Sequence, residues 1–278
     1  MNNSYNREGY LRENYHFFHL RDTAGQERDF HFHEFDKIVI LLSGNVDYLV
    51  EGMTYSLRPW DILLIQHHVI HKALIDQSRP YERVILYLDR KYVERTMPEA
   101  GLMGCFERAD KRQRYLLAPD GQSAQTLSGL IASLDRANDD SQFGAQALRD
   151  TLVMQLLILV NRVSMLGGAA QQTADLQYDP KIAQTLSYIH ENLRQPLTVE
   201  ELAERVYLSK YHFMRLFKAQ TGSTVHAYVR QRRLLYAAQL IRTGVNANKA
   251  AADSGFEEYS TFFRAFRECF GVSPGQLK

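Results

Sequence analysis

Short apolar runs separated by turn residues mark about the first 95 residues of the chain. The runs lie at residues 38–42, 46–50, 54–57, 62–65 and 84–88, and polar or turn-forming residues follow each of them. Several are rich in β-branched and aromatic side chains, which pack well in strands. Their close spacing predicts an antiparallel β-sandwich or barrel.

Beyond Asp89 the hydrophobic period becomes that of helices, and residues 124–137 and 143–166 are predicted to be helical. One apolar stripe with steps of three and four residues runs along the second helix: Leu148, Leu152, Leu156, Leu159, Val163 and Leu166. Such a stripe either packs on the helix's own barrel or forms a two-helix seam between subunits. Both interpretations stay open, and the second predicts a homodimer with the first five of these residues at its interface.

A small, polar segment at residues 167–174 predicts a linker, and Asp179-Pro180 then predicts a helix start. We therefore expect an N-terminal domain at 1–166, a linker at 167–178 and an all-α domain at 179–278, an α+β chain overall.

The formal net charge of +1 hides an asymmetry between the two halves of the chain. Residues 179–278 carry 14 basic and 9 acidic groups, whereas the rest carries 19 and 23. A basic module joined to an acidic one predicts a polyanionic partner.

An internal repeat occupies the last hundred residues. At an offset of 49 residues, identical residues recur: Phe213 and Phe262, Arg215 and Arg264, Phe217 and Phe266, Gly222 and Gly271, Ala203 and Ala252. Each unit reads as a helix, a tight turn and a second helix with basic residues, the pattern of a DNA-binding helix-turn-helix. The helix at 224–242 joins the units, and we expect its Arg230, Arg232 and Arg233 to extend the positive surface.

Helical periodicity divides each second helix into a buried phenylalanine stripe and an outward face. Ser209 is predicted to cap the first of these helices. The residues expected to face DNA are Ser209, Lys210, Tyr211, Met214, Arg215 and Lys218 in the first unit, and Tyr259, Ser260, Thr261, Arg264 and Arg267 in the second.

This half closely resembles the DNA-binding domain of the AraC/XylS transcription regulators. The resemblance is carried by residues 208–218, 228–234 and 250–274, above all by Gly255-Phe256 and by the segment from Ser260 to Pro274. It implies that the two helices enter adjacent major grooves of double-stranded DNA. It also implies base contacts by Tyr211, Met214 and Arg215, and by Ser260, Thr261 and Arg264. Activation of transcription through RNA polymerase is implied by the family alone.

Seven of the ten histidines fall between His16 and His71. His31 and His33 would share one face of a strand, and His71 follows a later strand. These three side chains could be structural, could contact a ligand or could hold a metal. They weakly resemble the cupin pattern, but Asp61 stands where that pattern has glycine and Glu34 lies on the opposite face, so we predict no metal and no cofactor.

The family resemblance implies a cupin-like pocket for a small-molecule effector, such as a sugar, in front of the DNA-binding half. The residues expected to line it combine histidines and amphipathic aromatics: His31, His33, Tyr48, Trp60, His71 and Tyr87. The alternative is a metal-dependent cupin enzyme fused to a DNA-binding module. The sequence has no Gly-rich phosphate loop, HExxH segment or nucleophile signature. We therefore predict a regulator and no enzyme.

No apolar run approaches the ~20 residues of a membrane span, and the N-terminus lacks the basic and apolar regions of a signal peptide. The two cysteines, Cys105 and Cys269, lie far apart without metal-ligand spacing. The expectation is a cytoplasmic protein with free thiols and no membrane partner.

Overall fold

The computed structural model describes residues 6–7, 9, 11–22, 30–50, 53–67, 69–112, 114–166 and 179–277. The chain divides into two compact units, one at residues 8–177 and the other at residues 1–7 and 178–278. The predicted linker at 167–178 lies outside the described residues.

The N-terminal unit is built from short antiparallel strands. In chain order its described strands are β2 (Tyr15–Asp22), β3 (His31–Phe32), β4 (Asp36–Ser43), β5 (Val46–Val50), β6 (Met53–Leu57), β7 (Ile62–Ile65), β8 (His71–Ile75), β9 (Tyr81–Leu88) and β10 (Leu116–Leu117), whereas the short strand β1 (Asn6–Arg7) falls in the other unit. One sheet has the order β10-β7-β4-β9-β2, and β3, β8, β5 and β6 are neighbours in the other. The predicted antiparallel β architecture is confirmed.

The centre of the first sheet explains the most continuous apolar runs. In β4 residues 36–41 are all buried, as are all four residues of β7. Strands covered on both faces lose the polar alternation of half-exposed strands. The core therefore lies on both sides of β4.

The described part of this unit also contains four helices: α1 (Arg90–Thr96), α2 (Gly104–Arg112), α3 (Gly121–Asn138) and α4 (Ala145–Leu166). The side chain of Asp120 caps α3 by accepting a hydrogen bond from the Ser123 amide at 2.7 Å. Helices α3 and α4 pack against each other, and α2 contacts both α4 and β7.

The apolar stripe on α4 faces the core of its own unit. Leu152, Leu156, Leu159 and Val163 are at most 9% exposed and belong to the hydrophobic cluster of the β-sheets. Leu148 and Leu166, at the two ends of the stripe, are exposed at 46% and 72%. The packing favours the first of the two sequence interpretations for the four buried residues, because a seam needs accessible side chains. Leu148 is the one residue of the predicted homodimer interface that keeps the accessible surface it requires.

The C-terminal unit is helical, as predicted. Its elements are α5 (Pro180–Glu191), α6 (Val199–Arg205), α7 (Lys210–Thr221), α8 (Val225–Arg242), α9 (Ala247–Asp253), α10 (Tyr259–Phe270) and a final 3-10 turn (Pro274–Gln276). Pro180 opens α5, and the Asp179 carboxylate accepts a hydrogen bond from the Lys181 amide at 3.0 Å. Helix α8 contacts α7, α9 and α10, so it connects the two helix-turn-helix pairs physically.

The repeat has two offsets rather than one. Helices α7 and α10 begin 49 residues apart, at Lys210 and Tyr259, but α6 and α9 begin 48 apart, at Val199 and Ala247. The turn of the second pair is one residue longer, five residues (254–258) against four (206–209). The proposed match of Ala203 with Ala252 is therefore wrong. Ala203 corresponds to Ala251, which is equally buried, whereas Ala252 is exposed.

Candidate functional site

Helix α7 presents the polar face that the sequence predicts. Phe213 and Phe217 are fully buried, while Tyr211 is 81% exposed and Arg215 and Lys218 are also exposed. The other predicted positions of this helix are Ser209 and Lys210, which are exposed, and Met214, which is half-buried. The solvent-facing side thus combines cations, hydrogen-bonding groups and an aromatic ring.

Helix α10 repeats this arrangement. Phe262 and Phe266 are fully buried, whereas Tyr259, Ser260, Thr261, Arg264 and Arg267 are exposed. Thr261 Oγ1 donates a hydrogen bond at 3.4 Å to Oε2 of Glu258, the residue at the N-cap of α10. Phe263 is half-buried and lies against Tyr259, with ring centroids 6.1 Å apart.

Helices α7 and α10 each start at an N-cap residue whose side chain makes no capping hydrogen bond. Ser209 precedes α7 and Glu258 precedes α10, both with extended backbone. The predicted capping role of Ser209 is therefore wrong for its hydroxyl, although the residue occupies the cap position. Backbone amides at such a helix start can donate hydrogen bonds to a phosphate oxygen.

The basic residues of α8 do not all contribute to the positive surface. Arg233 donates from Nε to the Leu193 carbonyl at 2.9 Å and from Nη2 to the Gln195 carbonyl at 2.7 Å. Burial lowers the pKa of its guanidinium. Arg233 therefore stabilises the loop after α5 and does not extend the positive surface, which corrects the expectation from the sequence. Arg230 is exposed and lies 3.9 Å from the Glu268 carboxylate.

A cavity of about 520 Å³ opens in the N-terminal unit. Four of the predicted effector residues line it: His31, Tyr48, His71 and Tyr87. Lys37, Tyr81 and Arg83 also line it and were missed by the sequence analysis. The sequence pattern could not identify Lys37 as a lining residue, because both faces of β4 are buried and polar and apolar residues do not alternate along it.

The lining carries both charge and hydrogen-bonding groups. Arg83 Nη1 lies 2.6 Å from the Asp22 carboxylate, and the hydroxyls of Tyr48 and Tyr81 lie 3.3 Å apart. Burial is the main cause that raises the pKa of Tyr81, so its phenol stays neutral at ordinary pH. A volume of this size and a mixed lining suit a small polar ligand.

His31, His33 and His71 come together at one place in this unit. Their exposed fractions are 4%, 2% and 0%, and their ring centroids are 4.4–5.0 Å apart. Burial, followed by the charge of Lys37, holds the pKa of His71 well below its usual value, so the ring is neutral. His33 stacks on Phe35 at 4.7 Å.

Trp60, which the sequence placed in the pocket, serves the scaffold instead, and so does Asp36. Trp60 is half-buried in the turn before β7, with φ +77° and its amide donating to the Leu41 carbonyl at 2.6 Å, and it is not in the cavity lining. The buried Asp36 carboxylate accepts from His67 Nδ1 at 2.9 Å and from Arg90 Nε at 3.2 Å. Burial opposes ionisation of Asp36, but these two partners outweigh it and lower the pKa.

Two family models match the chain. One is described as an AraC-like ligand binding domain and covers residues 14–157, and the other is described as a helix-turn-helix domain and covers residues 202–278. These two parts define the chain as a DNA-binding transcriptional regulator under effector control. Since the first match spans more than half of the chain, the chain belongs to the family of proteins with an AraC-like ligand-binding domain.

Similar proteins are themselves regulators. The HTH-type transcriptional activator RhaS of Citrobacter koseri is 27% identical over 89% of this chain and 86% of its own length. The probable transcriptional regulator LumQ of Photobacterium leiognathi is 27% identical over 91% of this chain and 93% of its own. The solved DNA-binding domain of AdpA, in complex with a target DNA, is 30% identical over 34% of this chain and 86% of that chain, with a TM-score of 0.33.

None of the described helices is long and apolar enough to cross a membrane.

Proposed function

We propose that this regulator reads double-stranded DNA with the outward faces of α7 and α10, which enter adjacent major grooves. Arg215 and Arg264 contact base edges, and Lys218 and Arg267 contact phosphates. The observation that carries the proposal is that two helices with matching buried phenylalanines expose matching arginines at the same position. Arginine can bond guanine O6 and N7 in a bidentate manner, which gives sequence preference.

The regulatory part of the proposal assigns the cavity lined by Tyr48, Tyr87, His31 and His71 to a small polar effector, such as a sugar or a sugar acid. Domains at 1–166 and 179–278, joined by a linker at 167–178, form a cytoplasmic homodimer that acts without catalysis. The effector binds one arrangement of the DNA-binding halves better than another, since otherwise it would change nothing. Similarity to the activator RhaS supports activation, with RNA polymerase as the partner.

The DNA assignment is tested by selecting preferred duplexes from a random pool with the wild-type chain, then repeating the selection with Arg215→Ala and Arg264→Ala. Each variant should bind the wild-type site about 1–3 kcal/mol more weakly and should lose preference at a few base pairs. Lys249→Ala removes one exposed charge from α9 and is the matched control. A variant that keeps the full wild-type base preference would remove that arginine from the base contacts.

The effector assignment is tested by a thermal-shift screen of sugars, sugar acids and aromatic acids, because a bound ligand raises the melting temperature by mass action. Ala73 lines the cavity, and its neighbour Leu74 is exposed. Ala73→Trp should abolish the shift by filling the cavity, whereas Leu74→Trp should preserve it. A shift that survives Ala73→Trp places the ligand elsewhere.

A further inference from the structure

The three clustered histidines are fixed by strand pairing. His31 in β3 is the direct antiparallel partner of His71 in β8. Directly opposed residues project to the same face of a sheet with Cβ atoms about 5 Å apart. His33 follows two residues after His31, which returns it to that face. The backbone thus brings three imidazoles together from two chain segments about 40 residues apart.

The nitrogen atoms of the cluster lie close to the separation that a metal imposes. One ligand nitrogen from each ring can be chosen so that all three lie within 4.8 Å of one another. Tetrahedral zinc with Zn–N bonds of 2.0–2.1 Å holds its nitrogens about 3.4 Å apart. Inward movements of about 1 Å by side chains would therefore close the cluster around one ion.

The His71 ring is already oriented as a ligand. Its Nδ1 lies 2.9 Å from the Val69 carbonyl, which can only accept, so Nδ1 carries the proton. The lone pair is then on Nε2, which is fully buried and has no hydrogen-bond partner among the described residues. An imidazole held by one nitrogen through a backbone carbonyl, with the other free to coordinate, is the usual outer-shell arrangement of metal sites.

The nearby carboxylates do not join the cluster. Glu34 is exposed, and Asp36 is held by His67 and Arg90. The histidines therefore supply three nitrogens and leave coordination positions open. His31 and His71 line the cavity together with Lys37, Asp22 and Arg83, and Asp22 forms an ion pair with Arg83. The positive charge of Lys37 favours an anion in the cavity.

We propose that His31, His33 and His71 bind one divalent transition-metal ion, with an open coordination position that faces the cavity and takes hydroxide or a carboxylate. Imidazole ligands suit zinc, copper, nickel and iron better than calcium or magnesium. This site departs from the sequence-based expectation of no metal, because the sequence did not show that His71 pairs directly with His31. It goes beyond the proposed regulatory function and needs no DNA for its test.

The test uses the full chain without an affinity tag, stripped with a chelator and titrated with Co²⁺ in the absence of DNA. We expect one Co²⁺ per chain, a visible absorption band from nitrogen ligation, and displacement by Zn²⁺. His31→Ala, His33→Ala and His71→Ala should each weaken Co²⁺ binding by at least about 100-fold. His16→Ala, an exposed histidine of the same unit, should leave it unchanged.

A second measurement covers variants that fail to fold. Zn²⁺-loaded wild-type protein examined by X-ray absorption should show three imidazole nitrogens at about 2.0–2.1 Å. Absence of stoichiometric Co²⁺ binding in the wild type, fewer than three imidazole ligands, or equal binding by a folded His71→Ala variant would overturn the proposal. DNA binding by the apo chain is measured separately, so a failure here leaves the DNA assignment intact.

Discussion

The turns of the two helix-turn-helix pairs have the same backbone conformation but place different residues at its left-handed position. In the first pair Tyr207 adopts φ +54°, and the Leu208 amide donates to the Ala203 carbonyl at 3.0 Å. In the second pair Gly255 adopts φ +90°, and the Phe256 amide donates to the Ala251 carbonyl at 3.1 Å. A tyrosine thus holds a left-handed conformation that the other pair assigns to glycine.

The surroundings explain this difference. Tyr207 is 92% exposed, so its side chain projects into solvent. A Cβ at Gly255 would lie 2.5 Å from the Leu193 carbonyl oxygen and 2.9 Å from Arg233 Nε. Arg233 itself is bonded to that loop, so neither neighbour can move freely. Gly255 is required both by its positive φ and by its close approach to the Leu193 carbonyl, whereas Tyr207 is destabilised only by its positive φ.

The largest effect should come from Gly255→Ala. The added Cβ meets a backbone oxygen and also requires a positive φ, so we expect the free energy of unfolding to fall by about 3 kcal/mol. Urea unfolding followed by far-UV circular dichroism measures it. Fluorescence of Trp60, the single tryptophan, follows the N-terminal unit separately.

Gly271→Ala separates the two causes of that loss. Gly271 has φ +70° at the end of α10, but nothing lies within 4 Å of a Cβ built there. Its replacement should cost only about 1 kcal/mol, the conformational part. Equal losses for Gly255→Ala and Gly271→Ala would show that the close approach to Leu193 contributes nothing.

Tyr207→Gly should act in the opposite direction. Relief of the left-handed conformation is worth about 1–2 kcal/mol, and the greater freedom of glycine in the unfolded chain offsets part of it. We expect unfolding to become harder by about 0.5 kcal/mol, measured in the same way. Tyr207→Ala is the control, since it removes the exposed ring and keeps the strain. A loss of stability in both Tyr207→Gly and Tyr207→Ala would show that the ring makes a stabilising contact, whereas a loss in Tyr207→Gly alone would show that the freedom of glycine in the unfolded chain outweighs the strain.

The sequence predicted the outward faces of α7 and α10 because helical period and buried phenylalanines determine them. It misplaced the first helix of the second pair by one residue. The extra residue in the second turn reduces the repeat offset of that helix from 49 to 48 residues. Because Ala252 is by coincidence also an alanine, Ala203 still found an identical residue at the wrong offset. A buried leucine stripe reads the same whether it faces its own core or a partner, so α4 could not be assigned from its pattern. Lys37 stayed hidden because a strand buried on both faces has no polar alternation.

The matched cations at the ends of the recognition helices offer a direct comparison on DNA. Lys218 and Arg267 occupy the last turns of α7 and α10 at the same repeat position. If both helices contact phosphates, Lys218→Ala and Arg267→Ala should each lower the slope of log affinity against log salt concentration by about one. Fluorescence anisotropy with the selected duplex measures the slopes. A change in only one variant would remove the other side chain from the phosphate contacts.

The smallest effect concerns an ion pair that only the first helix-turn-helix pair has. Lys210 at the start of α7 is bonded to Glu200 of α6, which lowers the pKa of Glu200 and raises that of Lys210. The corresponding positions in the second pair hold the uncharged Asn248 and Tyr259. Glu200 therefore neutralises a cation that would otherwise add to the DNA-facing charge of the first unit.

Glu200→Gln should release Lys210 and tighten DNA binding roughly twofold to fivefold at low salt, the range expected for an exposed pair. Because the freed ammonium adds a phosphate contact, the salt slope should also steepen by up to about one. Glu204→Gln removes the same charge one turn further along α6 without freeing Lys210, so its slope should match the wild type. If both variants tighten binding equally and leave the slope unchanged, Lys210 makes no phosphate contact, and Glu200 acts on DNA only through its own negative charge.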